Sequence, residues 1–282
     1  RRAPSLWQPY RDLRRLFSKA VVMAPHASPI FRLTPYILAG ATGLVAMVVP
    51  LFILGLPTSA LADVIVLVGL FALARFFLAL AAMDIGTAFG GMGASREMTI
   101  AAAAEPALLM AVFTLAMVAS STNLSTVITH TLAEGLVLRP SMLFILASLI
   151  LVAIAETGRI PVDNPTTHLE LTMIHEAMIL EYSGRHLALI EWASQLKLLI
   201  YAVLLVNIFF PWGIMAADTP SLTQGLLALL AVTAKLMLLG TVLAFSETHL
   251  AKMRLFQAPA FLFFALLLAM IGMLSHIILE IN

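Results

Sequence analysis

Long runs of apolar residues, separated by short polar segments, form the main pattern along this chain. A helix needs roughly 20 mostly apolar residues to cross the hydrocarbon core of a bilayer. Seven runs approach or exceed that length, at residues 33–54, 61–83, 99–120, 141–158, 189–211, 222–245 and 258–280. They lack the two-residue alternation of membrane barrels. The pattern therefore predicts an all-α integral membrane protein, with a bundle of seven visible transmembrane helices and cytoplasmic amphipathic helices.

The distribution of Lys and Arg predicts the side of the membrane on which each loop lies. Short cytoplasmic loops carry an excess of these residues. Twelve of the sixteen fall in segments that the predicted spans place on one side: Arg1, Arg2, Arg11, Arg14, Arg15, Lys19, Arg32, Arg96, Arg159, Arg185, Lys252 and Arg254. The opposite side holds only Arg139. We therefore expect the N-terminal segment and residues 84–97, 159–186 and 247–257 in the cytoplasm, and Asn282 outside.

Composition supports a membrane protein and excludes several functions. Hydrophobic residues make up 61% of the 282 residues and charged residues only 11%, whereas soluble domains carry roughly 25% charged residues. The formal net charge of +1 offers no basic stripe for nucleic acid. Because the chain has no cysteine, it cannot form a disulfide, use a catalytic thiol or hold an iron-sulfur cluster through its own thiolates.

Histidine spacing gives no sign of a metal or haem site. On a helix, His168 and His175 share one face, which is roughly opposite the face of Glu170, so these side chains do not converge as ligands. None of the seven histidines lies at the centre of a predicted span, as a b-type haem would require. We expect no cofactor bound by this chain.

The chain shows no internal repeat, low-complexity segment or long hydrophilic block. We therefore expect one membrane domain over residues 1–282, with a basic cytoplasmic segment at 1–32 and an acidic cytoplasmic loop helix within 159–186. The sequence opens at Arg1 without an initiator Met or a signal-peptide pattern. We expect an upstream segment to be missing.

The basic segment predicts an amphipathic helix at the membrane surface. Within residues 4–19, an apolar face is opposed by a basic face on which Arg11, Arg14 and Arg15 lie. A helix of this kind anchors on anionic headgroups, and the same surface can dock a cytoplasmic partner. The two interpretations are compatible.

Residues 84–97 form a glycine-rich segment, predicted to be a loop, that lacks the Gly-Lys-Ser/Thr ending of a phosphate-binding loop. Its glycines can let the backbone lie flat beneath another subunit, and Ser95 is expected to cap the helix that follows. Glu105 lies about two turns into that helix. A carboxylate there is costly unless it is paired or hydrated, which favours a functional role.

The acidic loop is the most informative stretch of the sequence. With the end of the preceding span, residues 155–185 hold five carboxylates, namely Glu156, Asp163, Glu170, Glu176 and Glu181. Asn164 as N-cap and Gly184 as a C-terminal stop predict a cytoplasmic helix of about 18 residues. Glu170 and Glu181 would lie about 20° apart on this helix and so share a face. Alternatively, Glu170 completes a capping box with Thr167.

Three cations, Arg75, Lys197 and Lys235, fall inside predicted spans. Intramembrane ionisable residues line hydrated cavities or pair with one another far more often than they face lipid. Lys197 can relay protons if desolvation shifts its pKa. A structural ion pair with Glu156 or Glu191 is the alternative.

Residues 156–185, ETGRIPVDNPTTHLELTMIHEAMILEYSGR, closely resemble the corresponding loop of energy-converting, membrane-bound nickel-iron hydrogenases. The opening RRAPSLWQPYRD and residues 93–98, GASREM, with Glu105, are similar to the same subunit of hydrogenase-4-type and formate hydrogenlyase complexes. That subunit is similar to the membrane subunit of respiratory complex I that seats the peripheral arm. Where complex I carries further glutamates, this chain has Thr166 and His168, which fits the hydrogenase branch better.

The resemblance implies a fold of eight transmembrane helices, one of them before Arg1. It also implies a prokaryotic, multi-pass protein of the inner (plasma) membrane. A hydrogenase large subunit with the nickel-iron centre and a small subunit with iron-sulfur clusters would dock on its cytoplasmic face, and antiporter-like subunits would adjoin it in the bilayer. This chain would then be a non-catalytic subunit of an oxidoreductase, coupling hydrogen chemistry to proton or sodium translocation.

Residues and resemblance together give two candidate sets. The proton-pathway and coupling set is Glu105, Glu156, Asp163, Glu170, Glu176, Glu181, Lys197 and Lys235. The partner-docking set is Arg11, Arg96, Glu97, Arg159 and Arg185. No catalytic or metal-ligating residue is expected. Two alternative functions remain: a subunit of a quinone-reducing complex of the NADH dehydrogenase type, and a free-standing secondary transporter, which would be expected to show repeated halves and interrupted spans.

Overall fold

The computed structural model describes residues 5, 7–24, 27–55, 57–135, 139–163, 173–216, 221–253 and 257–280, without the side chains of 216 and 280. In these ranges the chain is mainly helical. The helices are α1 (Gln8–Ser18), α2 (Pro29–Val48), α3 (Val64–Asp84), α4 (Ala88–Val118), α5 (Leu124–Glu134), α6 (Pro140–Glu156), α7 (His175–Ile179), α8 (Gly184–Phe209), α9 (Leu222–His249) and α10 (Ala258–Ser275). The strands β1 (Ile53–Leu54) and β2 (Met215–Ala216) pair in parallel.

Each predicted span coincides with one helix, which confirms the all-α membrane fold. Among the described residues, six helices are long and apolar enough to cross a membrane, and the seventh, α6, is a shorter apolar helix of 17 residues. A 3-10 turn precedes α3 at Pro57–Leu61, and a π-helical segment, His276–Glu280, extends α10. An eighth helix before Arg1 stays a prediction.

Helix α4 begins earlier than predicted, so residues 88–97 are helical rather than a loop. Thr87 is its N-cap and accepts a hydrogen bond from the Gly90 backbone N–H at 3.2 Å. The expected cap at Ser95 is wrong. The absence of side chains lets two other elements approach closely: a Cβ on Gly90 would collide with the Ala82 carbonyl, and one on Gly93 would lie 3.0 Å from Ala177 Cβ of α7.

The predicted cytoplasmic helix of about 18 residues is wrong in its described part. Residues 164–172, including Glu170, lie outside the described residues, and α7 spans only His175–Ile179. The chain leaves the helix at 180–183, and Gly184 starts α8 instead of ending a helix. Glu181 therefore lies in a turn, and the argument that it shares a helical face with Glu170 does not hold.

Contacts with the N-terminal segment explain this break. The Tyr182 ring stacks on Phe31 with centroids 3.9 Å apart, and its hydroxyl donates to the Phe31 carbonyl at 3.0 Å. Burial raises the pKa of Tyr182 above its ordinary value. Gly184 has a φ of +52°, and a Cβ there would lie 2.5 Å from the Ala20 carbonyl oxygen. Only glycine fits this turn at low cost.

The helix ends gather on two opposite faces, as the charge distribution predicts. On one face, which we call the predicted cytoplasmic face, the Val22 N–H donates to Ser183 at 2.8 Å and the Ser28 N–H donates to Asp84 at 3.1 Å. On the opposite face, the Asn207 amide donates to the Pro50 carbonyl at 2.8 Å. The tertiary structure thus brings together segments that the sequence places on the same side.

The bundle packs unevenly around α4. Helices α3, α6, α7 and α10 contact α4, and α2 lies against α3 and α8. Helix α9 packs along one narrow stripe, where Ala228 and Val232 are its buried residues. The rest of α9 presents apolar side chains such as Leu230 outward. In a bilayer this surface is compatible with lipid or with a neighbouring membrane subunit.

The two-faced arrangement gives a topological prediction. Cysteines introduced one at a time at Glu181 and Ser221, both exposed, should react with an impermeant thiol reagent from opposite sides of the membrane. We expect labelling of Ser221→Cys from the periplasmic side and of Glu181→Cys in inverted vesicles from which peripheral proteins have been washed. The chain has no other cysteine to confuse the signal, and both variants should react in detergent. The reverse pattern would overturn the orientation.

Candidate functional site

An arginine on α3 lies at the centre of the site. The side chain of Arg75 is only 7% exposed, and its guanidinium faces three carboxylates. The Nε atom lies 3.4 Å from Glu97, Nη1 lies 3.3 Å from Glu105, and Nη2 contacts Glu156 closely. Glu97 and Glu105 stand about two turns apart on α4, and Glu156 is the last residue of α6. Arg75 therefore joins three helices through one planar fork, which a lysine could not do in the same way.

Glu156 is shared between two cations. Its side chain is 1% exposed, and its Oε2 atom accepts a hydrogen bond from Lys197 Nζ at 2.8 Å as well as contacting Arg75. Lys197 Nζ also lies 5.8 Å from the centroid of the Phe71 ring, within range of a cation–π interaction. The structure thus contains an ion pair between Lys197 and Glu156, one of the two pairs offered as the alternative to proton relay. We call Arg75, Glu97, Glu105, Glu156 and Lys197 the buried charge cluster.

The buried charge cluster holds three carboxylates and two cations. With every group ionised it has one negative charge more than positive. This excess negative charge lies where three helices meet, so a change of charge nearby acts on all members of the cluster together.

A cavity of about 270 Å³ connects the cluster with the predicted cytoplasmic face. Arg75, Glu156 and Lys197 line its inner end, and Asp163 and Glu176 line it nearer the loop. A water occupies about 30 Å³ in the liquid, so the cavity can hold several molecules beside polar groups that would bind them. A hydrated path from the loop to the cluster is therefore compatible with the geometry.

The loop that lines this cavity is tied to the end of α9. Asp163 is 5% exposed and accepts a hydrogen bond from Lys252 Nζ at 2.7 Å. Arg159 lies 3.5 Å from Glu247, and the Met253 N–H donates to the Pro161 carbonyl at 2.9 Å. A displacement of the loop would thus be transmitted to α9.

The structure brings together only part of the predicted coupling set. Glu105, Glu156 and Lys197 meet in the buried charge cluster, and Asp163 and Glu176 line the same cavity. The other two described members, Glu181 and Lys235, do not join them.

Two members of the set lie elsewhere, and Glu170 is not among the described residues. Glu181 is exposed in the turn before α8. Lys235 Nζ donates to the backbone carbonyls of Phe210, at 2.6 Å, and Trp212, beyond the end of α8. That position is on the side of the opposite face, away from the cluster.

The predicted docking set also divides. Glu97 belongs to the buried charge cluster, Arg96 donates to the Met173 carbonyl at 2.8 Å, and Arg159 pairs with Glu247. These three side chains have partners within the chain. Arg11 and Arg185 are exposed on the predicted cytoplasmic face and remain free to meet another subunit.

The sequence identifies Arg75 as an intramembrane cation, but Arg75 was placed in neither the predicted coupling set nor the predicted docking set. Its signal was available, because an arginine inside an apolar run must find carboxylates or water. The partner assignment of Glu97 was not available, because its nearest charged neighbour in space lies on another helix. Within the described residues, no group of three or more His, Asp or Glu side chains is arranged to hold a metal ion.

Comparison with known proteins adds three findings. The NADH dehydrogenase family matches residues 1–278. Hydrogenase-4 component C of Escherichia coli (strain K12) is 37% identical over 254 residues, which are 90% of this chain and 79% of that protein. Formate hydrogenlyase subunit 4 of the same organism is 34% identical over 278 residues, covering 95% of this chain and 89% of that protein.

A solved structure shows a similar fold. A chain of the membrane-bound sulfane sulfur reductase, an archaeal respiratory membrane complex, superposes with a TM-score of 0.81 at 21% sequence identity. The match covers 96% of this chain and 87% of that chain. At this identity the likeness supports the fold, and the two Escherichia coli proteins carry the comparison of sequence.

Proposed function

This chain belongs to the NADH dehydrogenase family, and from that premise we propose that it is the non-catalytic membrane subunit of a complex I-like, membrane-bound hydrogenase. In this role it seats the peripheral redox subunits on its cytoplasmic face and couples their chemistry to ion translocation across a bacterial inner membrane. The names of its two relatives, hydrogenase-4 component C and formate hydrogenlyase subunit 4, support a multisubunit hydrogenase. The nickel-iron centre and the iron-sulfur clusters would lie in the partner subunits.

The observation that carries the coupling role is the buried charge cluster at the inner end of a cavity from the cytoplasmic face. Arg75 and Glu156 are almost fully buried, and burying charged groups is costly unless their arrangement is used or fully compensated. Redox chemistry in a docked subunit changes charge near the loop at 159–163. In the proposed mechanism the carboxylates of the cluster answer by passing a proton to or from water in the cavity.

The loop at 159–163 and α9 offer a second route by which redox chemistry in a docked subunit can act on the membrane. Because Asp163 and Arg159 hold Lys252 and Glu247, a movement of the loop pulls on the cytoplasmic end of α9. Helix α9 is lightly packed elsewhere, so it can shift at low cost. Antiporter-like subunits beside α9 would receive this movement, while the cluster supplies the electrostatic change.

The docking surface is expected to be centred on the turn before α8. Arg185 and Glu181 are exposed there beside Leu180, which is 52% exposed, and Met92 of α4 is 43% exposed. Charged groups around exposed apolar side chains are typical of a partner-binding surface. Arg11 on α1 extends the positive side of this surface. Arg96 and Arg159 have partners within the chain, so they contribute to this surface by holding its backbone in place.

Docking is tested at Arg185. Replacing it by Gln removes a guanidinium that can engage a partner carboxylate in two parallel hydrogen bonds, and Arg185→Glu adds repulsion. Truncating one side of a buried interfacial charge pair costs roughly 2–5 kcal/mol, or about 30-fold or more in affinity. We expect the peripheral subunits to dissociate from purified membranes that retain normal amounts of this chain.

Arg139→Gln is the matched control, because Arg139 lies at the start of α6 on the opposite face, where it pairs with Glu134. It should leave the peripheral subunits bound. If the complex with Arg185→Glu stays whole and active, the docking surface lies elsewhere on the cytoplasmic face.

A subunit of a quinone-reducing complex is the second candidate. The cavity, with Phe71 in its lining, offers an aromatic wall beside charged groups. Its volume of about 270 Å³ is below the range of roughly 300–1,000 Å³ that is usual for small-molecule pockets. Quinone reduction by the purified complex in place of hydrogen production would favour this candidate. A free-standing transporter is less well supported, because both Escherichia coli relatives are named as components of larger enzymes.

A further inference from the structure

Two aromatic rings stack beyond the inner end of the cavity that contains the cluster, here called the charge cavity, and Phe71 is part of its lining. Phe71 lies one turn before Arg75 on α3, and Tyr201 lies one turn after Lys197 on α8. Their ring centroids are 5.3 Å apart and their planes are 17° from parallel. Both residues are buried, with 3% and 4% exposure. The stacked pair thus lies directly behind the buried charge cluster.

A second, apolar cavity lies on the other side of these rings. Its volume is about 40 Å³, and its lining includes Val64, Val68, Leu115 and Ile208 in addition to the two rings. That volume exceeds the 10–15 Å³ or so that one water needs, but a buried water also needs two to four polar partners. The Tyr201 hydroxyl is the polar side-chain group in this lining. It has no hydrogen-bond partner among the described residues. The cavity is therefore expected to be dry.

Polar groups return at the N-terminal end of α3. Asp63 caps this helix through the Ile65 N–H at 2.8 Å and accepts a hydrogen bond from Thr122 at 2.6 Å. The latter hydrogen bond lowers the pKa of Asp63. Asp63 and Phe71 are separated by about 12 Å along the helix at 1.5 Å per residue. The apolar cavity thus separates the buried charge cluster from polar groups on the opposite face.

We propose that the Phe71–Tyr201 pair is a hydrophobic gate, which keeps water and protons of the charge cavity from crossing to the opposite side of the membrane. The inference deepens the proposed function and rests on it, since a coupling subunit must not let protons flow back through its own cluster. Hydrophobic constrictions close pores by excluding water. The gate opens when the two rings separate and water enters the apolar cavity behind them.

Passive proton leak tests the gate without any hydrogen turnover. The purified complex is reconstituted into vesicles with an internal pH dye, a pH gradient is imposed, and electron donors and acceptors are left out. We expect Phe71→Ala to speed the decay of the gradient about tenfold or more, because a wetted path removes much of the desolvation cost that opposes proton entry. Tyr201→Ala should act in the same way.

Two control variants separate the seal from other effects. Phe76→Ala removes an aromatic ring from the same helix as Phe71, at a position that is 53% exposed. In vesicles with this variant, the pH gradient should decay as slowly as with the unaltered complex. Tyr201→Phe keeps the stacked ring and removes only the hydroxyl, so it should also stay tight. Unchanged leak in assembled Phe71→Ala and Tyr201→Ala complexes would overturn the gate, as would an equal leak in the Phe76→Ala complex.

A second measurement leaves both rings in place and so does not depend on how the alanine variants fold. In membranes containing the full chain, a cysteine at Val68, in the apolar cavity, should resist a charged thiol reagent from both sides. A cysteine at Ser194, which lines the charge cavity, should react from the cytoplasmic side. Equal reaction at both positions would overturn the gate. The proposed function has a separate test, which is whether the Glu156→Gln complex loses ion transport driven by hydrogen turnover.

Discussion

Replacing Arg75 by Met should nearly abolish stable assembly of this subunit. The change leaves Glu97, Glu105 and Glu156 around an apolar side chain, with Lys197 as the remaining cation of the cluster. Breaking a buried ion pair by removing one partner costs about 3–5 kcal/mol, and here one side chain serves three partners. Because native proteins are stable by only about 5–15 kcal/mol, we expect little subunit in the membrane and little assembled complex on a native gel.

Arg75→Lys separates charge from geometry. Lysine restores the positive charge but cannot span three carboxylates with a planar fork. We expect this variant to assemble in intermediate amounts and to dissociate at lower temperature than the unaltered complex. Normal amounts and normal thermal stability of the Arg75→Met complex would show that Arg75 does not hold α3, α4 and α6 together.

Replacing Glu156 by Gln should have the opposite profile, with assembly kept and coupling lost. The substitution leaves Arg75 and Lys197 against Glu97 and Glu105, so the charges of the cluster balance. The Gln carbonyl oxygen can still accept hydrogen bonds from both cations. The group that the two cations share can no longer take up a proton. Since positioned acid–base groups contribute about 10²–10⁴-fold, we expect ion transport driven by hydrogen turnover to fall about 100-fold.

The measurement compares subunit composition, hydrogen turnover and ion uptake in the same vesicles. Glu134→Gln is the matched control, because Glu134 pairs with Arg139 on the opposite face, away from the cluster, and it should transport ions normally. The double variant Glu156→Gln with Lys197→Met removes both members of one ion pair. If the effect of Glu156→Gln were purely structural, this double variant would recover transport. Normal transport by Glu156→Gln itself would contradict the proposed coupling role.

The class of the protein was determined by the sequence, because the hydrocarbon thickness of a bilayer acts on each segment separately. A run of apolar residues long enough to cross it is a helix in lipid whatever its neighbours do. All seven predicted spans are helices for this reason. Ionisable residues inside such runs are equally visible, since each needs a partner or water. Glu105 and Lys197 were found in this way, and Glu156 was found as a carboxylate of the acidic loop.

The tertiary structure alone decided which of these charges meet. Arg75 and Glu105 are 30 positions apart, and Lys197 and Glu156 are 41 positions apart. No local pattern records such distances, so Glu97 was predicted to dock a partner although it contacts Arg75 within the chain. Lys235 looked equivalent to Lys197 in the sequence, yet backbone carbonyls beyond α8 hold it away from the cluster.

Helix boundaries near the site depended on packing for the same physical reason. Gly184 has the features of a helix stop, but the close approach of Ala20 makes it the first residue of α8. The glycines before Arg96 suggested a loop, whereas contacts with Ala82 and α7 hold them in α4. Local preferences for turn or helix differ by about 1 kcal/mol per glycine, so contacts between distant segments override them. The sequence therefore determined the spans and the chemical groups, and the fold decided which groups share a site.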